Sequence, residues 1–369
     1  MNNYPDELIN TQVRQFSAYS PGLSIDEIKA RYGLTNVIKM ASNENPLGVS
    51  PVVQEVLKKN AALAFRYPAA GNPELCRSLG CYLGVDPKRI VCGNGSDEII
   101  DLLIRITAVP GRDNIVAFKP CFSIYKLQSR LCGVEFRQCP LRPDFSFDWA
   151  GLLNLVDDHT RIVFLTNPDN PSGNAVCAEE ISNFSSLLPD STILVIDEAY
   201  IDFATPIERF SALKLSLMSE RIVVLRTFSK LFGLAGLRLG FGVLPLFLAD
   251  YLLRVRLPFS VNILAEKAGM AALEDRVFKQ TTLDLISSGR SRLTKELENL
   301  GCLVLPSQAN FLMFRPLKNA ETVFKELLKQ GIIIRPLTSY GLPDFLRVSM
   351  GTEKENHLFL KTLKDILDE

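Results

Sequence analysis

The sequence predicts an α/β fold: a large, mostly parallel sheet covered by helices on both faces, followed by a smaller α+β region. Short apolar, β-branched runs at 89–92, 114–118, 161–165, 192–196 and 221–225 are separated by segments long enough for crossover helices. These runs are continuously apolar rather than alternating, as expected of strands buried on both faces. After Pro258 the pattern changes to a helical stretch over 265–300, then strands at 303–305, 311–314, 332–335 and 345–349 and a closing helix. Ahead of the first strand, helices are predicted over 50–60 and 73–83, the second beginning just after Gly71 and Asn72. Residues 46–258 therefore read as a large domain and 259–369 as a small one. The N-terminal arm, 1–45, is expected to join the small domain, because chain ends often lie close together.

Composition removes several function classes. Lys and Arg number 41, as do Asp and Glu, so the basic footprint of a dedicated nucleic-acid binder is missing. With 47% hydrophobic and 22% charged residues the chain is that of an ordinary globular protein. The most apolar stretch, Phe241 to Leu253, is broken by Pro245 and Asp250 and is shorter than the roughly 18 residues of a membrane span. The first residues carry neither a basic leader nor an apolar run, which makes the cytoplasm the expected location. Eight cysteines occur without a CxxC and read as reduced and structural. Two histidines, His159 and His357, lie in no ligand-like cluster, so neither a metal site nor a Ser/His/Asp triad is expected.

In a parallel sheet, ligands bind beyond the carboxyl ends of the strands. Four strand-end junctions follow from the predicted order. Gly93-Asn94-Gly95-Ser96-Asp97-Glu98 joins a strand to a helix. Its glycines permit a sharp turn, and free amides at a helix start can hold a phosphate. Glu98 replaces the third glycine of GxGxxG and no GxxxxGK[ST] is present, so a capped turn is the commoner reading and a phosphate site the other. The second junction, residues 167–173 (NPDNPSG), is a turn fixed by two prolines that presents Asn170.

The third junction begins at Asp197, a carboxylate ending an apolar strand, which is expected to have a cationic partner. An arginine salt bridge, a helix cap and a charge that keeps a cofactor ring nitrogen protonated are all compatible with its spacing. The fourth places Lys230 after a strand, among Phe228, Leu231 and Phe232, with Arg238 eight residues on. Most lysines are solvated. A desolvated one can fall from a pKa of about 10.4 by roughly 3 to 5 units, becoming a neutral amine that attacks an aldehyde.

Together and in this order, NPDNPSG, DEAY (197–200) and Ser229-Lys230 with Arg238 resemble the pyridoxal-phosphate aminotransferases of fold type I, and the resemblance covers nearly the whole chain. AYSPG (18–22), SNENPLG (42–48), RYP (66–68), GNGSDE (93–98), ANF (309–311) and LRVSMGT (346–352) are similar to their histidinol-phosphate aminotransferase branch.

The resemblance implies pyridoxal 5'-phosphate as cofactor, attached to Lys230, which afterwards moves the proton between substrate and cofactor. Asp197 would pair with the ring nitrogen, and Tyr200 and Asn170 with the phenolic oxygen. Gly95, Ser96, Asp97, Thr227, Ser229 and Arg238 would surround the phosphate, with Phe122 stacked on the ring where relatives often carry tyrosine. Arg347 would take the substrate α-carboxylate, its other reading being a salt bridge at a strand end. Tyr19 and Asn43 would line the substrate end. Arg335 would reach a substrate phosphate or serve as a structural arginine. Tyr67 would reach a neighbouring copy's cofactor phosphate, which implies a homodimer, with the N-terminal arm packed on the partner. The implied reaction moves an amino group from glutamate to imidazole acetol phosphate, giving histidinol phosphate and 2-oxoglutarate. An aromatic amino-acid aminotransferase or a threonine-phosphate decarboxylase would use the same scaffold. A non-catalytic binding module of this fold is disfavoured, because Lys230, Asp197, Asn170, Tyr200 and Arg238 are all kept.

Overall fold

The computed structural model describes residues 8–9, 11–14 and 23–368. Tyr19 and the segment 18–22 lie outside the described residues. The strands are β1 (Ile38–Lys39), β2 (Ile90–Asn94), β3 (Asn114–Lys119), β4 (Glu135–Pro140), β5 (Thr160–Thr166), β6 (Ile193–Asp197), β7 (Ile222–Thr227), β8 (Leu239–Val243), β9 (Leu303–Val304), β10 (Phe311–Arg315), β11 (Ile332–Ile333), β12 (Arg335–Pro336) and β13 (Leu346–Ser349).

Seven of them form one sheet in the order β2-β8-β7-β6-β5-β3-β4. From β7 to β4 all neighbours are parallel, and β8 runs antiparallel between β2 and β7. Because successive side chains on a strand point to opposite faces, the apolar runs divide between two cores. Ile115, Ala117, Val195, Val223 and Leu225 pack on one side, and Val116, Phe118, Leu194, Ile196 and Val224 on the other. This is the mostly parallel, doubly covered sheet that the continuous apolar runs imply.

Two strands of this sheet escape the sequence pattern. β4 is an edge strand whose residues are mostly part-exposed, so it lacks the continuous apolar signature. β8 reads LGFGV, and glycine inside a strand weakens the signal. Its glycines admit a close backbone approach: a Cβ on Gly240 would stand 2.3 Å from the amide nitrogen of Ser96.

Beyond 258 the expected long helix is two, Ile263–Glu274 and Arg276–Asn299. Asp275 makes the break. Its carboxylate accepts from the Phe278 amide at 3.0 Å and so caps the second helix, and it also receives the hydroxyl of Ser50, itself the N-cap of helix Pro51–Asn60. The first of the two helices packs back on the large sheet's side, where Gly269 lies close to Leu239 and Leu75.

The smaller sheet is antiparallel, in the order β12-β13-β10-β9. Separately, β1 pairs in parallel with β11, and Ile28 of helix Ile25–Tyr32 is buried with Leu328 and Ile333. Among the described residues no helix is long and apolar enough to cross a membrane, and no group of three or more His, Cys, Asp or Glu is placed to hold a metal ion. Gly240→Ala is expected to lower stability by about 1–3 kcal/mol, since the new methyl meets backbone that cannot swing away. An unchanged denaturation midpoint would show that β8 and the Ser96 turn separate freely.

Candidate active site

A cavity of about 250 Å³ opens at the carboxyl edge of the parallel strands. Thr166, Asp197 and Thr227 end β5, β6 and β7, and Phe122 follows β3 across a turn. These four residues line the cavity together with Gly95, Ser96, Asp97, Asn170, Tyr200, Ser229, Lys230 and Arg238. Every residue expected from the sequence to face the cofactor, except Tyr67, thus lines one cavity. Ser42, Glu44, Ala199 and Ala235 also line it, and these, like Thr166, were not foreseen.

One end of the cavity is a cradle. Helix Ser96–Thr107 starts there with Gly95 at its N-cap position and no side-chain cap bond. Gly95 has φ +76°, and a Cβ on it would stand 2.7 Å from the guanidinium of Arg238. That guanidinium is 3.2 Å from Asp97. The Thr227 and Ser229 hydroxyls lie 3.0 Å apart at the end of β7. Free helix amides, hydroxyls and an arginine converge as a phosphate requires.

The opposite requirement, a buried anion, is met by Asp197. It is buried, and its Oδ1 accepts from the Ala199 amide at 3.1 Å and its Oδ2 from the Tyr125 phenol at 2.7 Å. The expected cationic partner is absent among the described residues. Arg226 instead donates to the neighbouring Glu198 at 2.8 and 3.0 Å, a pair completed by Ser211 and the Ala212 amide. Burial pushes the Asp197 carboxyl up to about 6, and the nearby acids Asp97 and Glu198 add to the effect, while the bonds from Tyr125 and Ala199 oppose it. A desolvated carboxylate facing a cavity, without a cation of its own, fits a ring nitrogen that carries a proton.

Lys230 reaches the cavity from the turn after β7, and its Nζ donates to the Ser42 carbonyl at 3.1 Å. Phe228, Leu231 and Phe232, expected to desolvate it, are buried in the core. Burial lowers the Lys230 amine to about 8, helped by the positive charges of Arg347 and Arg238. Tyr200 is buried, and its hydroxyl accepts from Asn43 Nδ2 at 3.1 Å. Asn43 is in turn held by Ser349 and by Asn310.

Arg347 is 5% exposed, which excludes a surface salt bridge. It has no carboxylate partner among the described residues: one Nη donates to Asn170 Oδ1, the other to the Ala41 carbonyl at 3.0 Å, and Nε has no partner. Arg335 does not line this cavity. It lines a second cavity with Lys119, Lys126 and Ser123, residues on either side of Phe122 in the chain. Tyr67 is 80% exposed and stacks on Phe259 with ring centroids 4.8 Å apart, outside the cavity.

A desolvated amine, a buried carboxylate without a cation of its own and a cluster of helix-start amides, hydroxyls and an arginine open into one cavity on a doubly covered parallel sheet. The sequence pattern of the family Aminotransferase class I and II matches residues 35–363. The histidinol-phosphate aminotransferase of Nitratidesulfovibrio vulgaris (strain DP4) is 58% identical over 98% of this chain and 97% of its own length. That of Oleidesulfovibrio alaskensis is 55% identical over 97% of this chain and 95% of its own. The crystal structure of histidinol-phosphate aminotransferase from Sinorhizobium meliloti in complex with pyridoxal-5'-phosphate superposes with a TM-score of 0.88 at 25% identity, covering 98% of this chain and 97% of that one. The chain belongs to the class I and II aminotransferases and, within them, to the histidinol-phosphate aminotransferase family.

A lowered lysine is neutral, and therefore reactive, above its pKa. Acylation of Lys230 in the cofactor-free protein, followed by peptide mass spectrometry, is expected to rise with pH through a midpoint near 8. A midpoint near that of an exposed lysine, about 10.4, would show that the cavity does not desolvate it.

Proposed function

We propose that this protein moves an amino group between glutamate and imidazole acetol phosphate, forming histidinol phosphate and 2-oxoglutarate, with pyridoxal 5'-phosphate held in the cavity at the carboxyl edge of the sheet. The observation that carries the reading is that Lys230, Asp197 and the Gly95–Arg238 cradle open into one cavity. Pyridoxal phosphate supplies an electron sink for the bonds broken at the substrate's α-carbon.

The chain's own residues do the rest. The helix-start amides at Ser96 and Asp97, the hydroxyls of Ser96, Thr227 and Ser229, and Arg238 hold the phosphate. Asp197 keeps a negative charge against the ring nitrogen, and Phe122 covers the ring face. Asn170 and Tyr200 orient the phenolic oxygen. Lys230 would take the proton from the substrate's α-carbon and deliver it to the cofactor carbon that keeps the nitrogen, so that the amino group stays with the cofactor. Its value near 8 suits a base that must both accept and give. Arg347, buried and without a carboxylate of its own, receives the substrate α-carboxylate through paired bonds while Asn170 and Ala41 fix its plane. Asn43 and, from the sequence resemblance, Tyr19 would complete the substrate end, and Arg335, which lines a second cavity with Lys119 and Lys126, would take the substrate phosphate.

We divide the chain into a cofactor-binding domain, 46–258, and a small domain, 259–369, with the 1–45 arm on the small domain and on a partner copy. The β1–β11 pairing supports the placement of the arm. We also propose a homodimer with shared sites. Tyr67 belongs to an exposed apolar patch with Phe65, Leu257 and Phe259, a surface suited to burial against a second copy.

Purified protein is expected to transfer nitrogen from glutamate to imidazole acetol phosphate faster than to phenylpyruvate. The reverse order would reassign it to aromatic substrates, and release of carbon dioxide from threonine phosphate to decarboxylation. Lys230→Ala should cost at least about 10²–10⁴ in rate. Glutamate carries an α-carboxylate and histidinol phosphate does not. Arg347→Ala should therefore lower kcat/KM for glutamate by about 100-fold and for histidinol phosphate by much less, equal losses counting against the assignment. If sites are shared, mixing inactive Lys230→Ala with Tyr67→Ala subunits restores one intact site per hybrid dimer. No recovery of activity on mixing would place Tyr67 outside the site.

A further inference from the structure

Behind Asp197 lies a polar group that the roles above do not use. Tyr125 sits one helical turn after Phe122, on helix Ser123–Leu131, and is fully buried. Its ring stacks on Phe164 with centroids 4.3 Å apart and planes 2° from parallel. A phenylalanine would fill that space equally well, so the packing does not account for the hydroxyl. The hydroxyl donates to Asp197 Oδ2 at 2.7 Å and lies 2.9 Å from Thr166 Oγ1. Thr166 is the residue paired with Asp197 across β5 and β6, so the sheet register itself fixes the third corner of this triangle. With Tyr125 and the Ala199 amide each engaging one oxygen of the carboxylate, its remaining lone pairs are turned to the cavity that Asp197 lines.

We propose that Tyr125 is a positioning residue: through its hydrogen bond to Oδ2, backed by Thr166, it holds the Asp197 carboxylate ionised and aimed at the ring nitrogen of the bound cofactor. The proposal rests on the reading of Asp197 as that nitrogen's partner. Thr166 can donate to the phenol oxygen, which leaves the phenol proton directed at Asp197. Burial holds the phenol well above its ordinary value, so it remains a donor while the carboxylate ionises. The other charged or titratable groups facing this carboxylate are Asp97, Glu198 and, across the cavity, Lys230; Cys121 faces the phenol. Both acids act against ionisation of Asp197, which leaves Tyr125 and the Ala199 amide as the groups that favour it.

The test uses the holoenzyme and is spectroscopic. A ring nitrogen that holds its proton less firmly withdraws fewer electrons, so the lysine nitrogen bound to the cofactor releases its proton at higher pH. Tyr125→Phe keeps the ring stack and removes only the hydroxyl. It is expected to move the pH midpoint of the cofactor's visible absorbance upward by about 0.5–1 unit and to raise the cofactor dissociation constant about tenfold. Thr166→Val should shift the midpoint in the same direction by less. Asp197→Asn is the reference and should shift it most. An unchanged midpoint in Tyr125→Phe beside a shifted one in Asp197→Asn overturns the role of Tyr125 alone. Unchanged midpoints in both overturn the reading of Asp197 and this proposal with it. Should Tyr125→Phe fail to fold, Thr166→Val decides: a raised midpoint supports the role and an unchanged one overturns it.

Discussion

Desolvation of Asp197 is the constraint around which the cavity is arranged. The residue ends β6, between β5 and β7 within the seven-stranded sheet, and excluding water from a lone carboxylate costs several kcal/mol unless other groups compensate. Two adjacent acids meet that demand in different ways. Glu198 takes the arginine of β7, two hydroxyl or amide donors, and a closed, structural environment. Asp197 takes only neutral donors and keeps its charge available to whatever enters the cavity. Glu198 lies one residue past the end of β6, its amide still bonded to the Leu225 carbonyl of β7 at 2.8 Å, which brings its carboxylate to Arg226 of the same strand.

The amine opposite it depends on the same dryness. Lys230 is close enough to Arg347 and Arg238 for their charges to disfavour its own, while Glu44 and Asp97 restrain the effect. The result is an amine and a carboxylate whose values are drawn toward the neutral range from opposite directions, the pattern expected where protons are exchanged. The arginines are kept free for this work in different ways. Arg347 is oriented by neutral oxygens alone, whereas Arg238 shares a part-buried carboxylate, Asp97, at the cradle.

Much of this was legible in the sequence because strand-end chemistry depends on local order. Asp197, Lys230, Asn170 and the Gly95 turn each follow a continuous apolar run, and that adjacency alone places them at one edge of the sheet. Tyr125 was not legible. Its function depends on facing the same way as Phe122 three residues earlier and on the pairing of Thr166 with Asp197, and no local pattern displays a register between strands. The expected arginine partner of Asp197 was the natural inference from cost, and it failed because the adjacent Glu198 satisfies Arg226 instead. β4 and β8 were hidden for opposite reasons, one by polarity at an edge and the other by glycines that the close approach of Ser96 demands. The break at Asp275 was hidden because a single capping aspartate interrupts an otherwise helical stretch.

The wall opposite the large sheet has a consequence for how the molecule is made. Ser349 bonds to Asn43, and Arg347 to the Ala41 carbonyl, across 306 positions of chain. Contacts of such separation close late, since the entropy of a long loop must be overcome before they can form. On the ribosome, Asp197 at the end of β6 and Lys230 in the turn after β7 emerge well before β13. The burial and the Arg347 charge that lower the Lys230 amine therefore arrive together with the final segment, so the amine is tuned only once the chain has closed over it.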